Sequence, residues 1–376
     1  MRRHIVRALC AAAAGAAIVP LALAGTAGAA DSPACPRHPA TAYVVSSGSV
    51  TPIFTATNTA GAAIQLGNAW GAIAITPNGK TVYATSSYST VTPISTATNT
   101  PGTPIKVTDP GLIAITPNGK TAYVVGIGPG TFTPISTATN IAGPTVTFGN
   151  FPWDMAITPN GKTVYVLNAG SSTVSPISTA TNTAGPPIPV SGFPVSLAIT
   201  PNSKTVYVLE GVSSTVVPIR TATNTVGKPI KIPNATSEAY TSQTLIAITP
   251  NGKTAYVASE NAGVVTPIST ATNTAGTPIR VGRYPFAMAI TPNGKTVVVL
   301  NQQSNTVTLI STAANKAVKT IPVGSKPWAV AITPDGKTAY VVSKGGDAVT
   351  PIFIATGMAG QPIGVGVAPV SIAIAR

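Results

Sequence analysis

From residue 41 onward the chain alternates short apolar runs with clusters of turn residues at a nearly constant beat. In one unit Ala72–Ile75 is apolar throughout, Thr76-Pro77-Asn78-Gly79-Lys80 follows, and Thr81-Val82-Tyr83 opens a second run. Val91-Thr92-Pro93-Ile94 forms a third run, and Thr103-Pro104-Ile105-Lys106-Val107 forms a fourth. The runs are too short for helices and rich in Val, Ile, Thr and Tyr, so they predict β-strands. Four strands per unit follow, called here inner, second, third and outer. The inner strand is nearly all apolar, as expected when both faces are covered. Asn-Gly between the inner and second strands predicts a tight hairpin, with both residues supplying positive φ angles.

The unit repeats. The proline of Ala-Ile-Thr-Pro-Asn-Gly-Lys recurs at Pro77, Pro117, Pro159, Pro201, Pro250, Pro292 and Pro334, mostly 42 residues apart. A tyrosine follows at 83, 123, 165, 207, 256 and 340, replaced once by Val298. A four-stranded unit cannot bury both faces alone, so stacked copies must cover each other. The two ends of the repeat array complement one another. Tyr43 and Pro52-Ile53 begin with no inner strand, and Val370–Ile374 is an inner strand with nothing after it. The last strand can therefore complete the first blade and remove an open edge. Residues 41–376 number 336, eight repeats of 42. The prediction is an all-β propeller of eight four-stranded blades, with seven as the alternative count.

The segment Thr333-Pro334-Asp335-Gly336-Lys337-Thr338-Ala339-Tyr340-Val341-Val342-Ser343, and Ala156 to Asn168 with its Tyr165-Val166-Leu167-Asn168, resemble the YVTN family of β-propeller repeats. The resemblance runs over the whole repeat region. It implies a secreted or surface-associated, surface-layer-like protein. The family is commonly seven-bladed, and many members have no assigned activity.

The first thirty residues are of another kind. Arg2, Arg3 and Arg7 precede an apolar stretch from Ala8 to about Leu23, and Ala27-Gly28-Ala29-Ala30 ends it. This predicts a signal peptide over 1–30, a linker over 31–40, a secreted and possibly wall-retained propeller over 41–376, and no membrane span in the mature chain. Only Cys35 remains after cleavage, so no intramolecular disulfide is available. A monomer is expected.

Composition removes most catalytic classes. The only histidine beyond the signal segment is His38, in the linker. No Ser–His or Cys–His pair and no His cluster for a transition metal falls within the repeats, so no catalytic, metal or cofactor set is assigned. Carboxylates are few, and Asp154 and Glu210 are the ones that can face a channel mouth, as a metal-dependent hydrolase or lactonase would need. No spacing brings the two together. The formal net charge is +14, much of it one turn lysine repeated at Lys80, Lys120, Lys162, Lys204, Lys253, Lys295 and Lys337. A polyanion- or nucleic-acid-binding ring is the third reading, although no nucleic-acid motif accompanies it.

Turns between inner and second strands share one face of the disc with turns between third and outer strands; the remaining loops share the other. The first face is nearly identical from copy to copy. The second carries the variation, where a specific site can be built. The candidates before the inner strands are Trp70, Asp109, Phe151, Trp153, Asp154, Phe193, Arg283, Tyr284, Phe286, Lys326 and Trp328. Glu210, Glu260, Gln302, Lys344 and Asp347 come from the second-to-third loops, and Glu238 and Tyr240 from the one enlarged loop. The aromatics suit a rim for an unidentified protein or cell-envelope polymer; alternatively they wedge between blades. Asp109, Asp154, Arg283 and Lys326 are expected to be solvated.

Overall fold

The structure is a computed structural model that describes residues 40–67, 69–86, 89–128, 130–211, 213–233 and 245–375. Residues 1–39, with Cys35 and His38 among them, Glu238, Tyr240 and the side chain of Trp70 lie outside the described residues. Eight antiparallel sheets follow one another around a closed ring. Inner strands touch in sequence, Ala69–Ile75 against Pro110–Ile115 and onward to Pro327–Ile332 against Ser371–Ile374. Ser371–Ile374 pairs with Thr41–Ser46, with Ala42 opposite Ile374 and Val45 opposite Ser371. The C-terminal strand thus supplies the first blade's inner strand, and the count is eight.

Two local predictions are corrected. In the hairpin after the inner strand, Gly79 N–H donates to the Thr76 carbonyl at 2.8 Å. Only Gly79 is left-handed, at φ 71°. Asn78 acts through its side chain: its Oδ1 accepts from the Thr76 hydroxyl at 2.7 Å and the Lys80 N–H at 3.0 Å. Proline presets the first corner and asparagine caps the second, so one positive φ suffices. Blade five has Ser203 in place of the glycine at φ 60°, and its hydroxyl accepts the Asn160 N–H of the neighbouring blade at 3.0 Å.

The outer strand is also not continuous in seven blades. In blade two it forms two short pieces, Thr100–Pro101 and Ile105–Lys106, both paired with Thr90–Ser95. The cause is the proline at the centre of the third strand. Pro93 has no N–H to offer the outer strand, so the ladder opens there. Gly102 passes over the ring, where a Cβ would lie 3.3 Å from Pro93 Cγ. Blade seven provides the control. It carries Leu309 in place of the proline and Val318 in place of the glycine, and its outer strand runs unbroken over Lys316–Pro322 with Leu309 opposite Lys319.

Neighbouring blades are joined by a repeated bond. The second-strand tyrosine is fully buried and its hydroxyl donates to an asparagine in the next blade's turn between third and outer strands. Tyr43 reaches Asn99 at 2.7 Å, Tyr83 reaches Asn140 at 2.6 Å, and Tyr123 and Tyr165 reach Asn182 and Asn224 at 2.8 Å. Tyr207 and Tyr256 reach Asn273 and Asn315 at 2.6 Å, and Tyr340 crosses the closure to Asn58 at 2.5 Å. These asparagines sit in the left-handed region that asparagine tolerates better than most residues. Burial pushes the hydroxyls of Tyr43, Tyr165, Tyr256 and Tyr340 up to about 12. The eighth interface lacks both partners at once: Val298 stands for the tyrosine and Gly357 for the asparagine. There Lys319 crosses instead, its Nζ donating to the Thr356 carbonyl at 3.0 Å.

Tyr207→Phe leaves Asn273 without its donor and should lower stability by about 1–2 kcal/mol. Chemical denaturation should show a lower midpoint with an unchanged slope; an unchanged midpoint would contradict the role of the bond.

Candidate functional site

The two faces separate as the repeat predicts. On the constant face the Thr96 hydroxyl donates to the Gly79 carbonyl at 2.7 Å, joining the two kinds of turn. The seven turn lysines there are exposed. On the variable face, Ile127 N–H donates to the Asp109 carbonyl, Ala169 to Phe151, Gly211 to Phe193, Gln302 to Tyr284 and Lys344 to Lys326. The accepting residues Asp109, Phe151, Phe193, Tyr284 and Lys326 are non-glycine residues at φ 44–59° directly before a proline. Such a conformation costs on the order of 1 kcal/mol. It recurs from blade to blade, so it belongs to the repeat rather than to any one site.

The aromatic candidates form two strings. Phe151, Trp153 and Phe193 join blades four and five, with ring centroids 5.9 and 6.5 Å apart. Tyr284, Phe286 and Trp328 join blades seven and eight at 6.5 and 4.7 Å. Trp153 is 4 % exposed and Phe286 1 %, so both fill interblade space and offer almost no surface. Phe151, Phe193, Tyr284 and Trp328 are half-buried. The Lys344 ammonium sits 4.0 Å over the Trp328 ring.

The acidic candidates depart from the solvated expectation. Asp154 lies in strand Pro152–Ile157, beside a bulge, and is 8 % exposed. Its carboxylate accepts Met155 N–H at 2.8 Å, Leu197 N–H at 2.9 Å and the Ser196 hydroxyl at 3.3 Å, tying blade four to blade five. Burial raises its pKa to about 7 against these bonds. Glu210 is 1 % exposed and accepts four bonds, from Ser191 N–H and hydroxyl, Ser213 and Thr215. Asp109 is half-buried and accepts Gly128 N–H at 2.8 Å. These carboxylates hold loops and blades together, and Asp154 and Glu210 share no partner. Among the described residues no group of three metal-ligating side chains converges.

Open space lies elsewhere on this face. A pocket of about 280 Å³ is bordered by Glu260, Asn261, Arg280, Arg283, Tyr284 and Gln303. A second, of about 390 Å³, is bordered by Arg283, Gln302, Gln303, Asn305, Ser325 and Lys326. They share Arg283 and Gln303 and so form one polar trough over blades six to eight. Arg280, Arg283 and Lys326 are exposed. The Lys344 ammonium has its pKa lowered by burial and by the nearby Lys326 charge.

Glu260 is the sole carboxyl in either lining, and it is 3 % exposed. Among the described residues neither of its oxygens has a hydrogen-bond partner. Burial raises its pKa to about 8, and the Tyr284 hydroxyl nearby draws it partly back. At neutral pH the trough therefore carries positive charge against an uncharged acid. Sequence reasoning placed Glu260 on this face without distinguishing it from its neighbours, and it missed Arg280 and Gln303. Arg280 ends an outer strand, where only its position in the ring gives it meaning.

The family described as "Lactonase, 7-bladed beta-propeller" matches residues 191–318, within blades five to seven. No curated protein matches the chain. Among solved structures, hydrazine synthase of Kuenenia stuttgartiensis is 22 % identical, with a TM-score of 0.59 over 75 % of this chain and 94 % of that one. Dihydro-heme d1 dehydrogenase NirN, in complex with DHE, is 13 % identical, with a TM-score of 0.75 over 89 % of this chain and 74 % of that one. A functionally unknown protein from Desulfotomaculum acetoxidans DSM 771 is 17 % identical, with a TM-score of 0.61 over 89 % and 99 %. At these identities the likeness is one of fold.

An acid whose folded pKa is raised holds its proton longer in the folded state. Stability therefore falls as pH rises through the window between the two values. For Glu260 that window runs from about 4.5 to about 8. Glu260→Gln should gain on the wild type by up to about 1.4 kcal/mol per pH unit across it, and the gap should level off above it. Parallel stability–pH curves would contradict the buried, unpaired acid.

Proposed function

We propose that the protein is a secreted, surface-layer-like propeller of the YVTN kind. Its mature part, residues 41–376 after a signal peptide and short linker, binds an anionic, hydroxyl-rich polymer of the cell envelope without chemically altering it. The observation that carries this reading is the trough over blades six to eight. Arg280, Arg283 and Lys326 converge on it, amide side chains line it, and its one carboxyl is held neutral at pH 7. Positive charges bordering one trough favour an anion that neutralises them, and Arg is suited to carboxylate and phosphate oxygens. The amides of Gln302, Gln303 and Asn305 can both donate and accept, as hydroxyl groups require. The two adjoining pockets match a chain of sugar-sized units better than a single compact ligand.

The family match over residues 191–318 favours a second reading, lactone hydrolysis at the same trough. There the neutral Glu260 would protonate a leaving oxygen.

Mature protein should bind a short oligogalacturonate and not a neutral dextran oligomer of equal length. Arg283→Ala should weaken that binding about tenfold, roughly 1.4 kcal/mol, and Lys162→Ala on the constant face should not change it. Equal affinity for the neutral oligomer, or loss of binding with Lys162→Ala alone, would overturn the site. Opening of sugar lactones above the spontaneous rate, lost in Glu260→Gln, would establish the second reading instead.

A further inference from the structure

Glu260 has no structural task that accounts for it. Its counterparts among the described residues, directly after the second strands, are Ser47, Ile127, Ala169, Gly211, Gln302 and Lys344. Ile127 and Ala169 are buried among apolar neighbours. Glu210, by contrast, accepts four bonds and closes a loop. The Tyr284 hydroxyl beside it is the one group that draws on the Glu260 carboxyl, and no geometrically sound hydrogen bond satisfies either oxygen among the described residues. A buried carboxyl so weakly supported is costly unless something else completes it. It lies in the wall of the pocket that Arg280 and Arg283 border.

Resting on the binding reading above, we propose that Glu260 is a ligand-contacting acid, donating its carboxyl proton to a carboxylate oxygen of a uronate-type unit whose charge also faces Arg283. The pocket would then discriminate by protonation. A neutral carboxyl adds a donor for the incoming anion, whereas an ionised one puts like charge against it. No bond is made or broken, and the proton stays on Glu260 or is shared with the ligand oxygen. The ionisable groups bordering the pocket are Arg280 on the outer strand of blade six, with Arg283 and Tyr284 on the loop that follows. The arginines keep their charge throughout the alkaline range, so within this pocket an alkaline change in affinity falls to Glu260 or Tyr284. Beside the adjoining pocket the Lys344 ammonium, its pKa lowered by burial and by Lys326, also loses charge on the alkaline side, and the Glu260→Gln comparison separates the two. Burial places the Glu260 transition near pH 8. Uronate-containing polymers and phosphate-bearing ones share the anionic, hydroxyl-rich chemistry. They differ in whether the acid is a planar carboxylate able to share a proton with a second carboxyl.

The experiment is a titration of mature protein with a short oligogalacturonate from about pH 7 to about pH 9, with a sugar phosphate oligomer in a second arm. Thermal unfolding of each variant serves as a check that it is folded. Wild-type affinity for the uronate should be flat below the transition and fall about tenfold per pH unit above it. Glu260→Gln, which cannot ionise, should show no such fall, whatever its absolute affinity. Tyr284→Phe should keep the fall. A wild-type affinity independent of pH, or the same fall in Glu260→Gln, overturns the role of Glu260 and leaves the trough standing. Equal affinity and equal pH dependence for the phosphate oligomer overturn the uronate assignment. No binding of either ligand at any pH overturns the binding reading itself.

Discussion

The bond from a buried tyrosine hydroxyl to an asparagine one blade ahead is the constraint on which the ring depends. A single blade exposes two apolar faces, and hydrophobic burial alone would let sheets slide over one another. The tyrosine spans the gap, fills it with a ring, and ends in a hydroxyl that must find an acceptor because water is excluded. The acceptor is a turn asparagine held at positive φ. Each blade therefore sets the position of the next turn, and the turn sets the register of the next third and outer strands. The bond from Tyr340 to Asn58 and the pairing of Ser371–Ile374 with Thr41–Ser46 close the circle at two radii.

Blade seven shows that these features act as linked pairs. Where tyrosine becomes Val298, the partner asparagine is Gly357. Where the third-strand proline becomes Leu309, the glycine that clears it becomes Val318, and the outer strand mends. An incidental drift of the repeat would have changed one member of a pair and left the other orphaned. Here Lys319 takes over the crossing at the seam between blades seven and eight.

Most of the fold was legible because it was written eight times. The blade count, the split first blade and the separation of a constant from a variable face all follow from the spacing of Pro77 and its copies and from the complementary ends. The errors were those of atoms rather than pattern. Asn78 could be seen to make a turn, yet not that it would do so through its side chain with ordinary φ. Pro93 could be placed in a strand, yet the missing N–H acts on a partner that is not adjacent in sequence. The candidate site was legible only as a face. Asp154 looked like a loop charge and proved to be a buried clip between blades. Glu260 looked like Glu210, and only the surroundings distinguish a carboxyl with four bonds from one with only the Tyr284 hydroxyl beside it. Arg283 lines one pocket with Arg280 and the next with Lys326, a grouping that no spacing along the chain expresses.

Among the described residues, positive charge and amide groups line open space over blades six to eight, with the buried Glu260 in its wall. The constant face offers a competing arrangement, its ring of exposed turn lysines. Hydrogen–deuterium exchange of the protein with and without a short oligogalacturonate separates the two most directly. Slowed exchange in 260–263, 280–284, 302–305 and 325–326 is expected, with the turns bearing Lys80 and its copies unchanged. Slowed exchange confined to the lysine turns, or none on either face, would contradict the assignment of function to the variable face.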